Sequence, residues 1–207
     1  MFDGPNWDAE MPNPKLTDTL IEYGGWKAEK TLFSDLLSGN WYFYAHGYKQ
    51  AADLLVDTLT GEPPQDSLIL PIVFLYRHFV ELKLKDIILS LDRLCGSEMK
   101  DVGTHDLLPL WAYLKDHLNC LRDEPGNTEI IPALEKLIKE LSSLDANSYH
   151  FRYAHDKKFS KEMPLPRSLN MKHFKETMEK IHNGLRYIEA GIDLEREARI
   201  IDTDINY

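Results

Sequence analysis

Ten consecutive residues, Tyr149-His150-Phe151-Arg152-Tyr153-Ala154-His155-Asp156-Lys157-Lys158, hold an Arg, two His, two Tyr, an Asp and two Lys. Arg carries a fixed, forked cation that matches phosphate, and His is the side chain whose charge changes near neutral pH. Arg152 and His155 together could grip a phosphate and move a proton. The basic character continues: from Arg152 to Arg167, five cations (Arg152, Lys157, Lys158, Lys161, Arg167) meet two acids, Asp156 and Glu162. The plainer alternative is a loop whose charges are solvated or paired.

A second set of charges lies further upstream. Arg77, Glu81 and Lys85 are spaced i, i+4 and i+8, one face of a helix, with His78 three residues before Glu81. Their surroundings are strongly apolar, and buried charges need partners. Asp156 is a candidate partner for Arg77, and Glu81 for Arg152. Such a set is either an internal network that fixes helix register or the floor of a polar cleft. His105-Asp106 stands where a helix should begin, and Asp there suits a cap for free N–H groups.

The elements that must position these residues read as helices. Trp41 to Leu59 carries a stripe of Tyr44, Tyr48, Ala51, Ala52, Leu55 and Leu59. Ser67 to Leu94 is apolar nearly all round, as for a helix buried in a bundle, with Asp66 or Ser67 as cap and Gly96 as stop. Thr104 to Leu121 has Leu107, Leu110, Trp111, Leu114 and Leu118 on one side. Thr128 to Leu144 has Ile131, Leu134, Leu137, Ile138 and Leu141. Met171 to Ala198 turns Phe174, Met178, Ile181, Leu185, Ile188 and Ile192 inward. Residues 146–170 show little periodicity and read as a long connection, a type that is often functional. No segment alternates as a strand does. The expected fold class is all-α, a bundle of four to six helices. It spans residues 41–198, after an extension over 1–40 with a short helix at Lys27 to Leu37, and before an acidic tail over 199–207.

Bulk properties narrow the function classes. The 207 residues carry a net charge of −10, which argues against nucleic-acid binding driven by total charge but leaves room for a local basic site. Cys95 and Cys120 are the two cysteines, without metal-type spacing, and read as reduced thiols in a cytoplasmic protein. Neither a secretory leader nor a membrane-spanning apolar run is recognisable. Di-iron bundles need two Glu-x-x-His pairs, and the chain has one, Glu179-Lys180-Ile181-His182. No metal and no cofactor is implied.

Three segments in order carry a resemblance. They are Phe74-Leu75-Tyr76-Arg77-His78-Phe79-Val80-Glu81-Leu82-Lys83-Leu84-Lys85, then Thr104-His105-Asp106-Leu107-Leu108, then Phe151-Arg152-Tyr153 before a closing helix. Their order and spacing over roughly residues 41–195 resemble HEPN domains. The resemblance implies an all-α bundle, usually dimeric, with roles in toxin–antitoxin, phage-defence and RNA-processing systems. Active members of that family are metal-independent endoribonucleases with an Arg and a His four to six residues apart near the last helix. Here Arg152 and His155 have two residues between them, whereas Arg167 and His173 have five.

The resulting expectation is an RNA-directed HEPN-like protein, a homodimer, with metal-independent RNA cleavage as its chemistry. Arg152 would hold the phosphate, His155 would transfer protons, and Arg77 and Glu81 would orient them. Arg167 and His173 form the alternative pair. Lys157, Lys158 and Lys161 would contact neighbouring phosphates, and His105 and Asp106 would be structural. The competing expectation is a non-enzymatic helical module for dimerisation or partner binding, with the charged residues as a structural network.

Overall fold

The computed structural model describes residues 40–59, 65–97, 101–121, 129–145, 149, 151–153 and 168–205. The chain divides into two units after Ser34, and every described residue belongs to the second. Residues 1–39 of the expected extension, its short helix included, lie outside the described residues.

The described chain is an all-α bundle of five helices: α1 (Trp41–Asp57), α2 (Ile69–Cys95), α3 (Leu107–His117), α4 (Ile130–Leu144) and α5 (Met171–Ile205). No described residue is in a strand, and no described helix is long and apolar enough to cross a membrane. The central element is α2. It packs on α1, α3 and α5, while α4 closes the bundle against α3 and α5. Its apolar circumference explains this place: residues on every side, from Ile72 and Val73 to Ile88 and Leu91, are buried.

Helix boundaries follow local chemistry. Asn40 caps α1 by accepting from Tyr42 N at 3.1 Å, and Asp106 caps α3 by accepting from Leu108 N at 3.1 Å. The helix expected from Thr104 therefore starts three residues later. Entry to α2 differs from expectation: a 3-10 turn, Gln65–Leu68, precedes it, and Leu68 occupies the cap position without a side-chain bond. Gly96 ends α2 at φ 67, the left-handed conformation that glycine adopts without strain. The last helix runs to Ile205 rather than stopping at Ala198. Arg199 explains the extension: it pairs with Glu195 at 2.7 Å and donates to the carbonyls of Leu94 and Cys120, docking this turn onto the ends of α2 and α3.

The buried line of α1 also differs from its expected stripe. Ala45, Lys49, Ala52 and Val56 face the core, while Tyr44 is 52 % exposed. Tyr48, Leu55 and Leu59 of the expected stripe are partly buried beside this line. Lys49 tolerates burial because Asp53 and Glu179 each pair with it at 2.7 Å. Asp53 also accepts from Tyr76 Oη at 2.6 Å, so a single polar knot joins α1, α2 and α5.

Cys95 and Cys120 are joined as a disulfide, their Cα atoms 6.2 Å apart, which corrects the expectation of two reduced thiols. The physical reason is the pairing of α2 with α3. It brings the end of one beside the end of the other, within the span a disulfide accepts, and sequence spacing does not reveal such a meeting.

Candidate polar site

The charged residues of α2 meet in one buried cluster. Arg77 and Glu81 are both 0 % exposed, one turn apart, with Arg77 Nη1 3.2 Å from Glu81 Oε2. Arg77 also reaches backbone: Nε to the Asp145 carbonyl at 2.7 Å and Nη2 to the His105 carbonyl at 2.6 Å. One guanidinium thus ties α2 to the end of α4 and to the entry of α3. A planar fork of several donors suits three fixed directions at once. Burial pushes the guanidinium below its ordinary value, opposed by the carboxylates of Asp145 and Glu81.

Glu81 is the hub. Its Oε1 accepts from Lys85 Nζ at 2.9 Å and lies 2.8 Å from His105 Nδ1. His78 Nδ1 stands 3.8 Å from Oε2, an ion-pair separation rather than a hydrogen bond. Burial by itself would raise this carboxyl, but His78, Lys85 and His105 outweigh it and hold it at about 2. Glu81 is therefore ionised at neutral pH and can only accept.

The described part of the opening segment adjoins this cluster. Asp145 is buried at the end of α4, and its Oδ1 accepts from Tyr149 N at 2.7 Å. Its carbonyl is the one that Arg77 holds. The turn that follows places Phe151 in the core and Arg152 at the surface. The Arg152 guanidinium lies 5.5 Å from the Phe74 ring and 5.7 Å from the Tyr153 ring. Tyr149 and Tyr153 stack at 4.4 Å. Phe74 in turn stacks on His78, whose edge meets Tyr48 of α1 at 4.5 Å. Phe74, His78 and Glu81 fall at i, i+4 and i+7, with Phe74 and Glu81 about 10 Å apart along the axis at ~1.5 Å per residue, so Arg152 and His105 contact residues of one face of α2.

The sequence-level site is thus divided. Arg77, Glu81, His105 and Arg152 come to one face of α2. The first two are sealed, which limits them to positioning, and the latter two are open. His155, Arg167, Lys157, Lys158 and Lys161 lie outside the described residues. So does Asp156, the expected partner of Arg77; among the described residues, Arg77 donates to Glu81 and to two carbonyls. His173 is exposed in the first turn of α5 and lines an apolar groove of ≈ 300 Å³ between α4 and α5, with Leu137, Leu141, Phe174 and Met178.

Two residues of the cluster were hidden from sequence reasoning. Asp145 carried no signal beyond following a helix. His105 was read as part of a cap, yet Asp106 alone does the capping, and the imidazole reaches back to Glu81. The single Glu-x-x-His does not converge on a site: Glu179 pairs with Lys49, while His182 packs against Phe79 at 5.5 Å and burial lowers its basicity. Among the described residues, no group of three His, Cys, Asp or Glu is placed to hold a metal ion. No protein-family model, curated protein or solved structure matches this chain.

Proposed function

We propose that this chain is an RNA-directed, HEPN-like helical protein, with metal-independent cleavage of the RNA backbone as its chemistry. The observation that carries this reading is the surface placement of Arg152 over Phe74 and Tyr153, with Tyr149 stacked alongside. A cation beside aromatic faces is a combination that engages phosphates and stacks unpaired bases. The segment that follows is locally basic in an otherwise acidic chain, which favours a confined site over general affinity. On this reading the protein is a cytoplasmic homodimer working in a defence or toxin–antitoxin system. The Cys95–Cys120 bond fits such a compartment only as a reversible one. The test is incubation with total RNA in EDTA, alongside fluorescence anisotropy with a labelled single-stranded RNA. The wild type should bind and cleave, and Arg152→Ala and Tyr153→Ala should bind more weakly. Absence of both binding and cleavage by the wild type overturns the reading.

A second reading is supported by a different observation. Arg77 and Glu81 are wholly buried, and protein groups take up their interactions. That is how a structural network looks in a non-enzymatic helical module. Tyr42, Phe43 and Tyr44, all exposed at the start of α1, would then be its partner-facing residues.

A further inference from the structure

We infer that His105 is the proton-transferring residue of this face, and that Glu81 is the residue that positions it. The inference deepens the RNA-directed reading and rests on it for its substrate.

Four observations converge on His105. Its Nδ1 lies 2.8 Å from Glu81 Oε1. Because that carboxylate is ionised, it can only accept, so the neutral ring must carry its proton on Nδ1. The basic lone pair is then on Nε2. The side chain is 62 % exposed, and among the described residues nothing bonds Nε2. The ring therefore has one nitrogen fixed by a buried acid and the other open to solvent.

The positioning is unusually complete for a surface side chain. Glu81 cannot swing away, since Lys85 holds the same oxygen and Arg77 the other. The backbone of His105 is fixed as well: its carbonyl accepts from Arg77 Nη2, and the next residue, Asp106, caps α3. Ring and backbone are thus tied to one buried pair. An imidazole oriented by a carboxylate through Nδ1, with Nε2 presented to a ligand, is the arrangement of a general base.

The other described histidines are spent differently. His46 stacks on Tyr42, and His117 bonds the Tyr113 carbonyl through Nδ1. His182 packs on Phe79, and His78 is half-buried between Phe74 and Tyr48. His173 faces the apolar groove.

In the step assigned to His105, a ribose 2′-hydroxyl gives its proton to Nε2. The 2′-oxygen bonds to the adjacent phosphorus, and the bond from phosphorus to the 5′-oxygen breaks. The leaving oxygen takes a proton from water, and the imidazolium returns its proton to the hydroxide so formed. The products are a 2′,3′-cyclic phosphate and a 5′-hydroxyl.

The experiment pairs kinetics on a short oligoribonucleotide with two readouts that need no RNA. His105→Ala should lower kcat by about 10²–10⁴-fold with little change in KM. A ¹⁵N spectrum of the wild type should show the Nδ1–H tautomer at His105, shifting toward the Nε2–H form in Glu81→Gln. Diethylpyrocarbonate should acylate His105 faster than the exposed His46 and His173. If His105→Ala cleaves at the wild-type rate, the inference is overturned and the RNA-directed reading stands. If the wild type neither binds nor cleaves RNA, that reading falls; wherever cleavage is absent, the acylation order decides for His105. Acylation no faster than at His46 overturns its role as a presented base.

Discussion

At the scale of single residues, Arg77 shows why a charge can be more structural than a leucine. It is fully buried, yet its donors end on Glu81 and on two carbonyls from other segments. Truncation would leave those acceptors unpaired in the core, so Arg77→Ala should lower stability by about 3–5 kcal/mol, read from urea or thermal unfolding. Arg77→Lys keeps the charge but loses the fork, and its melting temperature should also fall well below wild type. Glu81 carries the pH dependence. Its folded value of about 2 lies below the unfolded one near 4.5, so its stabilisation is fully present above the unfolded value. It is lost as pH falls through the window from 4.5 to about 2. The contribution at neutral pH is of the order of 3 kcal/mol. Unfolding free energy measured from pH 7 down to pH 3 should decline in the wild type. Glu81→Gln should show a flatter curve from a lower start.

At the scale of elements, contacts between helices set the tolerances. Gly184 of α5 lies against Leu134 of α4, and a Cβ placed there would stand 2.7 Å from Leu134 Cδ2 and 2.9 Å from its Cγ. Gly184→Ala should raise helix propensity and still destabilise, by roughly 1–3 kcal/mol, because Leu134 is buried and has little room to retreat. A stabilised variant in thermal unfolding would show that the two helices separate readily. The Cys95–Cys120 bond closes a loop with a sequence separation of 25, which joins the end of α2 to the end of α3. Reduction should lower the melting temperature, with a loss of about 3 kcal/mol on a chain-entropy account. A thiol assay under denaturing, non-reducing conditions should find neither cysteine free.

At the scale of the whole molecule, the net charge of −10 opposes RNA everywhere except at a confined basic site. Binding through Arg152, Lys157, Lys158 and Lys161 would release about four counterions. The slope of log affinity against log salt should then lie near −3, at ~0.7 per contact on a single strand. A much steeper slope would require cations beyond this segment. The same scale shows what kind of site a bundle can build. A central helix buried along nearly its whole length has little solvent face on which to place charges. Those it carries must be satisfied internally and act through neighbours that reach the surface.

Periodicity was enough to place the five helices, because each buries an apolar stripe against another and water enforces that pattern along the chain. The inward faces of α3 and α5 were legible almost residue by residue, from Leu107 to Leu118 and from Met178 to Ile192. The face of α1 was legible only in part: Tyr48, Ala52, Leu55 and Leu59 meet the core, whereas Tyr44 is exposed and the buried Ala45, Lys49 and Val56 were not picked out. The charged spacing of Arg77, Glu81 and Lys85 was legible too, and so was the need for partners. Which partners they found was not. Arg77 donates to two backbone carbonyls, which every residue offers equally, and the choice of Asp145 and His105 depends on how α3 and α4 dock. The suggestive run from Tyr149 to Lys158 announced itself by composition alone. Only tertiary packing decided that Arg152 shares a face with His105, and that His105, not its capping neighbour, turns its ring to the buried acid. Local sequence sets which side chains exist and which helix face they occupy; the meeting of distant segments sets which of them become one site.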